Sequence, residues 1–298
     1  MRVKRSRCRM VILSASFGSL SGERSKARAQ DDKAKRNNPM LLLKLLLTPL
    51  FILIVTLIGR RWGTLVSGLL VGLPLTSAPV SLFLAIEQGT TFASRAALGT
   101  MTGTISVAAF CLVYSWLSLG LPWPICLLSG WAVFFASTFL LEQFTLPLLP
   151  SFLLVLLVLS IVLPSLPRDR QPVPVATPPR WEIAARMVVA TLFVLILTES
   201  AALLGPGLSG LLTPFPLFAS IVGAFTHAFS GAAAARRVLR GVVTGTFAFT
   251  VFFLIVSGSI EKAGITATFV LAILGAFLVQ GSSLWLLNLN ARSKIKRS

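Results

Sequence analysis

Nine apolar runs, each near the twenty residues that a helix needs to cross about 30 Å of hydrocarbon, occupy most of this 298-residue chain. They fall near 41–59, 63–86, 96–119, 122–141, 144–165, 183–204, 207–228, 241–260 and 264–288. In hydrocarbon every backbone N–H and C=O must find its partner within the protein, so runs of this length predict helices. None of them alternates as a lipid-facing barrel strand would. With 55% hydrophobic and 12% charged residues, the chain lacks the polar surface of a water-soluble domain. The expected fold class is all-α: a polytopic integral membrane protein of about nine transmembrane helices, with the lipid bilayer as its partner.

A formal net charge of +18 invites a nucleic-acid reading, yet 11 of the 27 Lys and Arg residues precede residue 40, and most of the rest sit between apolar runs. That is the distribution a cytoplasmic charge bias produces, and nucleic acid is not expected as a partner. Residues 1–39 read as a basic disordered tail or as an over-extended start, with initiation at Met40 the favoured expectation. A first membrane repeat of five helices (40–165) is followed by a linker, 166–182, stiffened by Pro167, Pro172, Pro174, Pro178 and Pro179. A second repeat of four helices (183–290) and a basic tail (291–298) complete the expected layout.

The two halves carry an internal repeat. Displaced by 142 residues, 50–105 aligns with 192–247 without a gap, with 20 identities in 56 columns. Shared leucines follow from composition, but Gly63, Ser67, Gly68, Pro74, Gly89, Arg95, Gly99 and Gly103 matching Gly205, Ser209, Gly210, Pro216, Gly231, Arg237, Gly241 and Gly245 do not. Five helices between equivalent points would make the second copy enter the membrane from the opposite side, an inverted repeat. The loop charges agree. With the residue-40 end outside, 13 basic residues face inward, among them Arg60, Arg61, Arg186, Arg236, Arg237 and Arg240, against Lys44, Arg95 and Lys262 outside.

Each copy interrupts its second apolar run at one place: Gly72-Leu73-Pro74 with Pro79, and Pro214-Phe215-Pro216. Proline removes a donor and collides with the preceding turn, so both helices are expected to kink or split. Broken helices at corresponding positions point to a transporter binding site, with a packing kink as the plainer alternative. The candidate substrate-binding residues are Ser67, Pro74, Thr76 and Ser77 in the first copy and Ser209, Thr213, Pro216 and Ser220 in the second. Hydrogen bonds back to their own helices are the competing fate of these hydroxyls. Gly99-xxx-Gly103 and Gly241-xxx-Gly245 read first as helix contacts.

Glu199, within an apolar run, is a candidate proton-coupling or cation-binding group, since a carboxylate there is costly unless protonated, paired or wetted. His227, the only histidine, is a candidate proton relay, with an interfacial position as the alternative. Cys8, Cys111 and Cys126 form no CxxC pair, and no HExxH, GxSxG or GxxxxGK[ST] pattern occurs. No metal site, cofactor or catalytic residue is therefore expected, and the chain is not read as an enzyme.

The layout of about 300 residues in two inverted halves resembles small bacterial secondary carriers built on inverted four- or five-helix repeats. The repeat core, Gly68-Leu69-Leu70-Val71-Gly72-Leu73-Pro74 and Gly210-Leu211-Leu212-Thr213-Pro214-Phe215-Pro216, is also similar to that of GlpM-type inner-membrane proteins. The resemblance implies a multi-pass protein of the bacterial inner membrane that moves a small solute by alternating access. A non-transport scaffold for envelope assembly is the competing expectation.

Overall fold

The computed structural model describes residues 39–75, 77–144, 146–168, 179, 181–193, 195–196 and 215–295. The chain divides into two compact units, 1–46 and 47–298. Of the first, only the opening of helix α1 is described; the remaining described elements belong to the second.

All regular structure among the described residues is helical. The elements are α1 (Pro39–Trp62), α2 (Thr64–Val71), α3 (Ser77–Gln88), α4 (Thr90–Leu117), α5 (Trp123–Glu142), α6 (Leu148–Ser165), α7 (181–193), α8 (Leu217–Ser230) and α9 (Ala232–Ile295). α9 is interrupted at Gly264, where φ is 76° and ψ 171°, leaving arms 232–263 and 265–295. α4, α5, α6 and the 232–283 stretch of α9 are long and apolar enough to cross a membrane. The run expected near 63–86 is two helices, split where its Gly72-Leu73-Pro74 interruption was expected to break it. The run expected to begin at 241 begins at Ala232, so its helix carries Arg236, Arg237 and Arg240 within its first turns.

Some positions 142 residues apart share backbone conformation. Gly89 has φ 85° and ψ 168°, and Gly231 has φ 87° and ψ 166°. Each ends one helix and starts the next in a left-handed conformation that a Cβ would strain. Pro122, before α5, and Gly264, before the second arm of α9, are likewise 142 apart. Burial follows the same displacement: Ala93, Ala97, Met101, Thr104, Ser106, Phe110, Cys111 and Tyr114 are buried on α4, and so are Ala235, Leu239, Val243, Thr246, Ala248, Phe252, Phe253 and Val256 on α9.

These two helices pack antiparallel. Near one end Ser94 Oγ donates to Ser257 O at 2.8 Å, and near the other Arg236 Nη1 donates to Ser118 O at 3.1 Å. α2 lies along the first arm of α9 in the same direction, through glycines on both sides. A methyl at Gly72 would stand 2.6 Å from Gly245 Cα, and one at Gly241 would stand 2.9 Å from Gly68 Cα. The two backbones therefore touch directly, which only glycine at all four positions allows. α2 starts at the Gly231 end and α3 finishes at Gly89, so 64–88 passes from one end of the helix pair to the other.

The outward faces are apolar. Along α6, Leu149, Leu153, Leu157 and Ile161 are each more than half exposed, while Ser151, Val155 and Leu159 are buried. Phe139 and Leu140 on α5, and Val270, Leu274, Phe277 and Leu278 on α9, continue this surface.

Candidate functional site

The split between α2 and α3 is built from ordinary hydrogen bonds. Gly72 N donates to Gly68 O at 3.0 Å and Leu73 N to Leu70 O at 3.1 Å, closing α2, and Ala78 N donates to Pro74 O at 2.8 Å, opening α3. The second copy opens α8 in the same way, with Ser220 N donating to Pro216 O at 2.8 Å. Leu217 N also donates to Phe215 O across Pro216, an inverse γ-turn at φ −77° and ψ 53°. Both prolines thus start a helix at a place where their missing N–H costs nothing.

The two openings meet at one cavity of about 100 Å³. Its lining pairs positions 142 residues apart: Leu73 with Phe215, Ser77 with Ala219, Thr100 with Val242, Thr104 with Thr246 and Val107 with Phe249. Val71, Gly72, Pro216, Leu217 and Phe218 complete the lining. Its size suits about three waters, at about 30 Å³ each, or one small solute.

Of the residues singled out from the sequence, Ser77 and Pro216 line this cavity. Pro74 is buried and shapes the break. Ser67 is buried beside Gly59, and its Oγ donates to Thr64 O at 2.9 Å within its own helix. Ser220, also buried, accepts a hydrogen bond from Trp131 Nε1 at 2.9 Å. Thr76, Ser209, Thr213 and Glu199 lie outside the described residues. Thr100, Thr104 and Thr246 are not among the residues that the sequence singles out, although the match of Thr104 with Thr246 is visible in the repeat.

His227 stands at the basic end, where its Nδ1 and Tyr114 Oη share a hydrogen bond at 3.2 Å. Replacing Tyr114 with Phe leaves that nitrogen without its tyrosine partner. A loss of about 1 kcal/mol is expected, read by thermal unfolding in detergent.

A charged cluster joins the copies at the same end. Glu182, fully buried, accepts from Arg60 Nη2 at 3.0 Å through Oε2 and from Arg186 Nε at 2.9 Å through Oε1. Arg186 also donates to Thr226 Oγ1 at 3.3 Å, and its guanidinium lies 5.5 Å from the Phe225 ring centroid. Arg236 binds Ser118 O and Oγ, and Arg240 Nη1 donates to Leu166 O at 3.4 Å. Glu182 escapes a sequence reading because it borders a proline-rich stretch. Its spacing of four residues from Arg186 is the signal that could have found it. Among the described residues no group of three or more His, Cys, Asp or Glu could hold a metal.

Compared with protein-family models, with curated proteins and with solved structures, the chain matches none.

Proposed function

We propose that the chain is a multi-pass membrane carrier, moving a small solute by alternating access between two inverted copies of one helical unit. The observation that carries this reading is the shared cavity, lined by five pairs of residues 142 positions apart, where α3 and α8 open. Two helices that open after equivalent prolines onto one space are what a binding site between repeats calls for.

The membrane setting is supported by the leucine-rich outer face of α6 and its continuation over α5 and α9, a surface that water would drive into association. Inversion is supported by the antiparallel packing of α4 with the first arm of α9, their matched burial and the end-to-end course of 64–88. Arg60, Arg186, Arg236 and Arg240 stand at one end, which by the charge bias of membrane proteins faces the cytoplasm. Bonds between the copies concentrate there, among them Arg60 to Glu182, Tyr114 to His227 and Arg236 to Ser118. At the other end Ser94 to Ser257 O makes such a bond. In this reading the cytoplasmic end is closed in the structure, and opening it requires these bonds to part.

The test is access to the cavity. Ser77→Cys in sealed vesicles is expected to react with a membrane-impermeant thiol reagent added on the side opposite the arginines. Cys8 is replaced by Ser in every variant, and the buried thiols Cys111 and Cys126 serve as the background. Absence of reaction from both sides would favour a dry, packed scaffold.

A further inference from the structure

The repeat supplies the frame of the cavity, and the places where the copies differ supply its chemistry. Ser77 and Thr100 of the first copy stand where the second has Ala219 and Val242, and Leu73 and Val107 stand where it has Phe215 and Phe249. The lining therefore combines hydroxyls, Ser77, Thr100 and Thr104 with Thr246, and aromatic rings, Phe215, Phe218 and Phe249. We propose that this cavity takes a small uncharged amphiphile, with a hydrogen-bonding head of amide or alcohol type and a short hydrocarbon body; the assignment rests on the carrier reading above.

The polar lining is specific in kind. Thr100 Oγ1 donates to Ala96 O at 2.8 Å, Thr104 Oγ1 to Met101 O at 2.6 Å and Thr246 Oγ1 to Val243 O at 2.7 Å. Each hydroxyl hydrogen is committed to its own helix, and lone pairs are what remains for an occupant. Among the described residues Ser77 Oγ has no partner, so it can donate as well as accept. A ligand head that donates to threonine oxygens and exchanges a bond with Ser77 satisfies this set.

Among the described lining residues an ion would find no counter-charge. None of the described lining residues is ionisable. An ion held there would lose its hydration without a counter-charge in return. Phe215, Phe218 and Phe249 offer a carbon chain the contacts that water would forgo. A volume of about 100 Å³ admits a solute of about five heavy atoms, for which millimolar affinity is the realistic range.

Three probes of similar size separate the possibilities: propionamide, its planar isostere propionate, and propylammonium. With the full chain purified in detergent, propionamide at 100 mM is expected to raise Tm by about 3 °C, and the two ions at equal ionic strength are not. Ser77→Ala and Thr104→Val should each remove the propionamide shift. Ser137→Ala, whose hydroxyl donates to Val133 O away from the cavity, should retain it. An equal or larger shift with either ion, or a propionamide response absent or unchanged in Ser77→Ala and Thr104→Val, overturns the assignment. If that happens while Ser77→Cys still reacts from one face, the carrier reading survives without this substrate class. If Ser77→Cys is inert from both faces, both readings fall together.

Discussion

Gly68→Ala is expected to destabilise the protein by at least about 3 kcal/mol, at the upper end of what overpacking usually costs. The added methyl would overlap the Val238 carbonyl oxygen and stand 3.0 Å from Gly241 Cα. Backbone atoms at both contacts leave no side chain to swing aside. To relieve the clash α2 must lift off α9, and the cavity lies one turn further along the same contact, at Gly72 and Thr246. Gly241→Ala should cost a similar amount, because its methyl would meet Leu65 O and Leu69 N. The informative control is Gly99, the first-copy equivalent of Gly241, where a methyl meets nothing within 4 Å. Gly99→Ala should leave stability unchanged or raise it by up to about 1 kcal/mol through helix propensity alone. Thermal unfolding of the three variants in one detergent checks the set. Equal losses at Gly99 and Gly241 would mean that both copies use the contact alike.

This contrast also marks how far the sequence could be read. Glycine and proline report backbone constraints directly: Gly89 and Gly231 hold nearly identical dihedral angles, and Pro74 and Pro216 each stand just before a helix. Gly241-xxx-Gly245 was recognisable as a contact, but its partner was not. The same spacing occurs at Gly99 and Gly103, and only the fold decides that 241 and 245 meet Gly68 and Gly72. Helix ends were read less well. α4 starts at Thr90 and α9 at Ala232, before the apolar runs begin, because a helix extends past the hydrocarbon wherever its backbone bonds continue and its arginines find partners. The cavity's polarity could not be read at all. Thr100 opposite Val242 is an ordinary mismatch until both are known to face one space.

Glu182→Ala is the second large effect, with an expected loss of about 3–5 kcal/mol, the usual consequence of stranding a buried charge. Arg186 has only 6% of its side chain exposed and relies on this carboxylate for its ion pair. Arg60, with 32% of its side chain exposed, can turn to water, so Arg60→Ala should cost no more than about 1 kcal/mol. The two variants therefore separate folding from function. Arg60→Ala keeps the Glu182–Arg186 pair and loses the strap from α1 to α7, with the longer bond to Pro179 O at 3.4 Å. In the carrier reading that strap belongs to the set holding the cytoplasmic end shut, and its loss lowers the cost of opening there. Combining Arg60→Ala with Ser77→Cys should let an impermeant thiol reagent reach the cavity from the arginine side, where Ser77→Cys alone stays protected. Replacing the buried pair by Glu182→Leu with Arg186→Met should restore most of the stability lost in Glu182→Ala, since matched apolar residues spare both desolvation costs. It should leave the cytoplasmic end nearly as accessible as in Arg60→Ala, because the carboxylate is gone and Arg60 keeps only the 3.4 Å bond to Pro179 O. A double variant as stable as wild type but still closed would show that the cluster only packs α7 against its neighbours and takes no part in access.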